Sequence, residues 1–450
     1  MRLTNNTIHS ISKSSNIRMG LSFAKESHAE FLNRFCLCQD RIKDIFEIEK
    51  GTSITESQAV EGNIPVVAGG KDYAYLHNES NRPQGCITIS ASGANSGFVN
   101  YWDVPIWASD CVTLKSKDED KYLTKFLYYA LRLIQSDIYL LQKGSDQPHV
   151  YASDIQCIKV PAVSVPIQKK ALAEAHAIEK EIETIESSIK KNGEIIDDVF
   201  NREFRFAMDE FNRSKQAKRF SANYRTLSNN ADLRFSAKFH RDSGNFVMQE
   251  LMNRTDKKIK HYLAEPIVLG ASVSPSDYSD DGEFCYISMA TIKNWKFDIE
   301  SASTVSKEYS DSKQAKTVRK NDIILARSGE GTIGKVALID DDELQGVFAD
   351  FTMRIRLKDY NPEFAYYYFR TTYFQYLIEI YKKGLGNNTN IFPIVVREFP
   401  MLNISLAEQQ RIVDEIHAEI AKQDEIKKQI ESLRGQIDVL IQDVLTQNQG

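Results

Sequence analysis

Two stretches of this chain, Lys121–Gly144 (KYLTKFLYYALRLIQSDIYLLQKG) and Asn361–Gly384 (NPEFAYYYFRTTYFQYLIEIYKKG), align without a gap at an offset of 240 residues. Gln135/Gln375, Ile138/Ile378, Lys143/Lys383 and Gly144/Gly384 coincide, and aromatic and aliphatic positions track one another between them. Each reads as a tyrosine- and leucine-rich amphipathic helix stopped by glycine, which takes the left-handed conformation of a helix end at no steric cost. Upstream, C-I-T-I-S-A-S-G (Cys86–Gly93) matches D-I-I-L-A-R-S-G (Asp322–Gly329), in each case a buried strand running into a glycine turn. Farther upstream, Ile17–Lys25 (IRMGLSFAK) matches Leu233–Arg241 (LRFSAKFHR) at an offset of 216. The growing offset predicts an insertion of roughly 20 residues in the second copy, around Pro275–Glu300. The matches keep one order, as a duplicated unit would.

Each copy closes on a proline-marked boundary, Val160-Pro161 to Pro166 and Phe399-Pro400 to Leu406, followed by a long helical pattern. Ala175, Ile178, Ile182, Ile185, Ile189, Asn192, Ile196 and Val199 form a narrow apolar stripe at 3–4 spacing in the first. Ile416, Ile420, Gln423, Ile426, Ile430, Leu433, Ile437, Leu440 and Val444 do so in the second. Stripes this narrow predict that the two helices pair with each other as an antiparallel coiled coil. A continuous helix of about 40 residues would be roughly 60 Å long. The expected fold is α/β (α+β): two similar globular domains separated by two long antiparallel coiled-coil helices, with a pseudo-two-fold internal repeat. The predicted boundaries are 1–162 and 211–402 for the domains, with 163–210 and 403–450 for the helices. Gly193 and Gly435 fall inside those helices, each at a cost of about 1 kcal/mol relative to alanine.

Composition sets limits on function. The net charge of −5 argues against a generic nucleic-acid binder. The two helical segments, 167–204 and 404–446, carry 6 basic against 9 acidic and 5 against 9, which leaves the remainder slightly basic. No stretch approaches a membrane span and Met1–Gly20 lacks an apolar signal core, so a cytoplasmic protein is predicted. Six cysteines (Cys36, Cys38, Cys86, Cys111, Cys157, Cys285) without C-x-x-C spacing predict unpaired thiols rather than a disulfide framework or a metal site.

The run Gly329–Val336 (GEGTIGKV) imitates three nucleotide-binding patterns. A dinucleotide fold needs a helix after the glycines, but Lys335–Ile339 reads as a strand. A P-loop needs a hydroxyl where Val336 stands, and the kinase partners are missing or misordered. A tight turn between strands is the better reading. No two prolines are adjacent, so the [DNS]-P-P-[YF] grip of amino-group DNA methyltransferases is absent. No catalytic residue is predicted, and the chain reads as a non-enzyme.

Candidate DNA contacts are polar and basic residues on loops that recur in both copies. In the first copy these are Lys71, Tyr73 and Asn78, then Lys143, Ser145, Gln147 and His149. In the second they are Arg327, Ser328, Thr332 and Lys335, then Lys382, Lys383, Asn387, Asn388 and Asn390. An alternative reading of the layout is a helical scaffold with two protein-binding domains, and a less favoured one is a self-contained DNA-modifying enzyme.

The whole layout resembles the specificity (S) subunit of Type I restriction-modification systems. The resemblance rests on Asp40-Arg41-Ile42-Lys43, on Lys320–Gly329 with Ile333-Gly334-Lys335, and on the helix entry Phe399-Pro400 to Ala407–Val413. In the first copy it rests on Ile64–Gly70 (IPVVAGG) and Trp107–Asp110 (WASD). Ile167-Gln168-Lys169-Lys170 stands where the family's first helix would carry E-Q. The resemblance implies that double-stranded DNA is read as a bipartite, asymmetric site, one half by each target-recognition domain, the helices setting the gap. It further implies two methyltransferase (M) subunits and motor-nuclease (R) subunits as partners. S-adenosylmethionine, ATP and Mg would belong to those partners, with no cofactor in this chain.

Overall fold

The computed structural model describes residues 40–144, 146–217, 219–225, 236–282, 284–329, 331–384 and 386–447. The chain divides into two compact units, Met1–Ser188 with Ile426–Gly450, and Ile189–Glu425. Among the described residues no helix is long and apolar enough to cross a membrane.

The first unit is built on a four-stranded antiparallel sheet in the order Phe46–Lys50, Cys111–Ser116, Cys86–Ser90, Val99–Trp102. The second repeats it as Val268–Leu269, Thr352–Ile355, Ile323–Ala326, Val336–Leu338. Cys86–Ser90 and Ile323–Ala326 are buried throughout, which is why they read as largely apolar runs. A smaller mixed sheet accompanies each. Val66-Val67 runs parallel to Trp107-Ala108 in the first unit, and Cys285–Ile287 parallel to Gly346–Phe348 in the second. The IPVV and WA segments, far apart in sequence, are thus neighbouring strands.

The equivalence fixes the insertion. Ser109 donates its N–H to Val67 O and Ala349 to Ile287 O, an offset of 220 on the acceptor strand. Arg82 donates to Ile106 O and Val318 to Gly346 O, an offset of 236. The extra residues therefore fall between Ile287 and Val318, overlapping the expected Pro275–Glu300 and running past its end. They form the hairpin Ile292-Lys293/Lys296-Phe297 and the helix Lys307–Ser312. Ile292 and Phe297 pack with Ile324, Ala326, Ala337 and Ile339 on one sheet face. The first unit, without the hairpin, has Thr88, Ser90, Asn100 and Trp102 at those places, and Trp102 Nε1 donates to Thr88 Oγ1 at 2.9 Å.

The tyrosine-rich segments each form two short helices instead of one. They are Thr124–Leu133 with Gln135–Tyr139, and Pro362–Arg370 with Thr372–Tyr381. In the second pair the break is made by Thr371, whose hydroxyl bonds Tyr368 O at 2.7 Å and caps the next helix through Phe374 N–H. The two coinciding residues do the same work in both copies. Gln135 Nε2 donates to Gly97 O and Gln375 Nε2 to Gly334 O, each at 2.8 Å. Gly97 and Gly334 have φ of 90° and 87°, and a Cβ on either would meet Ile138 or Ile378.

The helix expected over 167–204 is broken into Val165–Glu186 and Asn192–Phe204. Ser187 and Ser188 turn their hydroxyls back onto Thr184 O and Ile185 O at 2.7 Å each, and Asn192-Gly193 follows with weak helix propensity. Gly193 is thus in a first turn, not mid-helix. Buried Gln423 accepts Lys190 N–H at 2.9 Å, so this polar member of the stripe serves the break. Leu406–Gln447 is a single helix of 42 residues. Its stripe ends on buried Ile437, Ile441 and Leu445, one step along from the expected Leu440 and Val444. Within the first unit Arg434 bonds Glu186 at 2.7 Å. Within the second, Gln423 meets Lys190 while Arg411 pairs with Glu203 and Glu415 with Arg202, so partners descend as the first helix rises. The pairing inside the second unit is antiparallel.

Each helix entry is tied by a glutamine. Gln168 accepts Leu123 N–H at 2.8 Å and Gln409 accepts Asn361 N–H at 2.8 Å. Both are buried. Gln168 is thus the working counterpart of Gln409 despite the altered residues around it. The two ends of the sheet-bearing part of each unit are also clasped, by Ile42 N–H to Ile158 O and Ile259 N–H to Phe399 O. Glu398 reinforces the second clasp through Lys258 and Lys260 at 3.0 and 2.9 Å, and their hydrogen bonds hold its carboxyl down at about 2.

Gly334→Ala should cost about 2–4 kcal/mol in urea unfolding, combining a left-handed alanine with a Cβ 2.9 Å from Ile378 Cγ2. Gly331→Ala, also at positive φ but in open space, should cost about 1 kcal/mol. Equal costs would show that the helix does not press on this turn. Because the Glu398 carboxyl is depressed, its pairing stabilises above the ordinary value of 4.5 and is lost as pH falls toward 2. The urea midpoint of wild type should therefore exceed that of Glu398→Gln near neutrality by a margin that vanishes at low pH. A margin constant with pH would contradict the clasp.

Candidate nucleic-acid interface

At one end of each four-stranded sheet the Ser-Gly turn is closed by the loop that follows the tyrosine-rich helices. In the first unit Lys143 and His149 exchange main-chain hydrogen bonds at 2.9 and 2.8 Å, and Gly93 N–H donates to Pro148 O. In the second, Lys383 and Asn390 exchange them at 2.8 and 2.7 Å, and Gly329 N–H donates to Thr389 O. Val150 N–H reaches Ala91 O, and Ile391 N–H reaches Arg327 O. Gly329, Gly331 and Gly334 all take positive φ, and Val336–Leu338 follows as a strand. The glycine run is a tight turn, without the helix a dinucleotide site requires.

In the first unit the Gly69–Tyr73 loop joins this end. Ser90 Oγ donates to Gly70 O at 3.1 Å, and Lys71 Nζ lies 5.7 Å from the Phe98 ring centroid. Lys143 Nζ sits 3.0 Å from the buried Asp154 carboxylate and 5.0 Å from the Tyr151 ring, on which His149 stacks. Tyr73 and Gln147 are exposed. Asn78 is elsewhere: the register Ile64↔His77 puts it at the opposite end of the small sheet. Ser145 lies outside the described residues.

In the second unit Ser328 and Thr332 face inward. Ser328 Oγ donates to Thr389 O, and Thr332 Oγ1 to Ser328 O at 2.8 Å, so both hydroxyls stitch the turn. Lys382 is drawn to Glu379 at 2.6 Å. Lys335 is half-buried where the next strand begins. Arg327 donates from Nε to Asp350 O at 2.9 Å and from Nη1 to Asn390 Oδ1 at 3.2 Å. Asn388 is exposed, its carbonyl accepting from Asn390 Nδ2, while the Asn387 side chain is outside the description. The gathered candidates are therefore Lys71, Tyr73, Lys143, Gln147 and His149 in one unit, and Arg327, Lys383, Asn388 and Asn390 in the other.

Aromatic residues at this end were missed by the sequence reading. Tyr151 is 45% and Phe392 39% exposed, each two residues past the closing pair. The aligned H-V-Y (His149–Tyr151) and N-I-F (Asn390–Phe392) were the available signal. Burial pushes the Cys86 and Cys111 thiols up to about 11 and 12, which suits packing and not nucleophilic chemistry.

A family profile described as the Type I restriction modification DNA specificity domain matches residues 39–192 and 267–433. The chain belongs to this family of DNA specificity proteins. A putative type I specificity subunit of Mycoplasma genitalium is 29% identical over 131 residues, covering 28% of this chain. The matched region spans about a third (34%) of that relative's length. The type I S subunit crystal structure from M. genitalium aligns over 90% of this chain and 94% of its own, with 16% identity and a TM-score of 0.39. A chain from a study of assembly and conformational transition of the type I restriction-modification system aligns over 90% and 96%, with 11% identity and a TM-score of 0.44.

Lys143→Met should destabilise the first unit by about 1–3 kcal/mol, because it leaves the buried Asp154 carboxylate without this cation. Adding Asp154→Asn should recover part of the loss. A double-mutant cycle with no coupling would show that the pair does not hold the loop.

Proposed function

We propose that this chain is the sequence-reading subunit of a type I restriction-modification complex. Each unit would read one half of a bipartite, asymmetric site in double-stranded DNA, and the helical segments would fix the gap. The observation that carries this is the recurrence of one frame with different side chains. The same strand, Ser-Gly turn and closing loop present lysine, histidine and tyrosine in one unit and arginine, asparagine and phenylalanine in the other. A common scaffold with different polar edges is what two different half-sites demand. Family membership supports the same reading. Methyltransferase and restriction subunits would assemble on the chain and supply S-adenosylmethionine, ATP and Mg chemistry, in the cytoplasm where the DNA is. Base extrusion by a methyltransferase needs the duplex held in register, which two reading units provide.

The purified chain alone should transfer no methyl group from S-adenosylmethionine. Co-expressed with its methyltransferase partner, it should confine N6-methyladenine to one two-part motif. Lys383→Ala with Asn388→Ala should relax or weaken one half of that motif and leave the other unchanged. Methylation by the chain alone, or a single contiguous motif, would overturn the proposal.

A further inference from the structure

We infer that the second unit reads a guanine through Arg327. This rests on the DNA-reading function proposed above and adds the base and the residue. The guanidinium is fixed before any ligand arrives. Asp350 O takes its Nε–H and Asn390 Oδ1 one N–H of Nη1, so the second N–H of Nη1 and both of Nη2, the adjacent donors a two-pronged contact needs, have no acceptor among the described residues. The guanidinium carbon lies 5.9 Å from the ring centroids of both Phe351 and Phe392. These rings are 45% and 39% exposed, a placement that gains little from folding. Two exposed rings beside a held arginine give it a rigid stacking support and offer apolar contact to bases or sugars alongside.

The first unit lacks this device. Ala91 occupies the place of Arg327, since each carbonyl accepts from the closing loop, through Val150 N–H or Ile391 N–H. Asp110 occupies that of Phe351, each carbonyl taking the N–H of Ala91 or Arg327. The cation beside the equivalent aromatic, Tyr151, is Lys143. A lysine is a point charge that accepts many partners, whereas the guanidinium fork matches the O6 and N7 acceptors of guanine in the major groove. Adenine presents an amino donor at the first of those positions and is disfavoured.

The test is methylation mapping of wild type, Arg327→Ala and Arg327→Lys, each co-expressed with the methyltransferase partner. Wild type should show a guanine in one half-site. Both variants should lose discrimination at that single position by roughly ten- to hundred-fold, with the other half unchanged. If wild type yields no two-part motif, the DNA-reading function itself fails. If wild type yields one but it is unchanged in the variants, weakens uniformly, or relaxes at a position other than G·C, the guanine assignment is overturned. Should Arg327→Ala not fold, Arg327→Lys, which keeps charge and length without the fork, decides the matter.

Discussion

In each unit a helix glutamine grips the carbonyl of a glycine held at positive φ, Gln135 on Gly97 and Gln375 on Gly334. The neighbouring isoleucine fills the space a Cβ would need. That contact docks the tyrosine-rich helices onto the end of the sheet, and everything at the candidate interface hangs from it. The helix ends beside the turn it has pinned, so the following loop can close over the Ser-Gly turn through paired main-chain bonds. Main-chain closure leaves the outward-facing loop side chains, such as Gln147 and Asn388, available to differ without disturbing the frame, the arrangement a reading surface requires.

The differences between the units follow one physical logic. Where the second unit carries its extra hairpin, the sheet face beneath is apolar (Ile324, Ala326, Ala337, Ile339). Where the first unit has none, Thr88, Ser90 and Asn100 face that side and Trp102 turns its indole N–H onto Thr88. Buried polar groups are kept only where partners satisfy them, and the two faces obey that rule in opposite ways. The helical segments show it again. The stripe residue Gln423 looks like a flaw until the break at residues 187–191 is seen to expose a main-chain N–H that it satisfies.

Much of this was legible in the sequence. The coinciding Gln135/Gln375 and Ile138/Ile378 marked the duplication, and they prove to be the residues that perform the docking. The apolar strands before each Ser-Gly pair announced the central strands, and the glycine run before Val336 announced a turn. The helix break was also written there, in Ser187-Ser188 and Asn192-Gly193, but a regular apolar stripe outweighed it. Apolar periodicity reports which side faces a partner; it does not report whether main-chain hydrogen bonds continue from one turn to the next.

By itself the sequence determined the repeat, the strand that leads into each Ser-Gly turn, and which loops correspond, because these follow from local propensity and apolar period. Only the tertiary structure decided which loop residues look outward. Ser328, Thr332 and Lys382 are chemically fit to meet DNA, yet they are spent on the turn and on Glu379. Asn78 lies at the opposite end of its sheet from the Gly69–Tyr73 loop. Arg327 gains its fixed geometry from Asp350, Asn390, Phe351 and Phe392, residues 23 to 65 positions away in sequence. A polar side chain's partners come from whatever the fold brings within about 3 Å, and linear spacing carries no record of that distance.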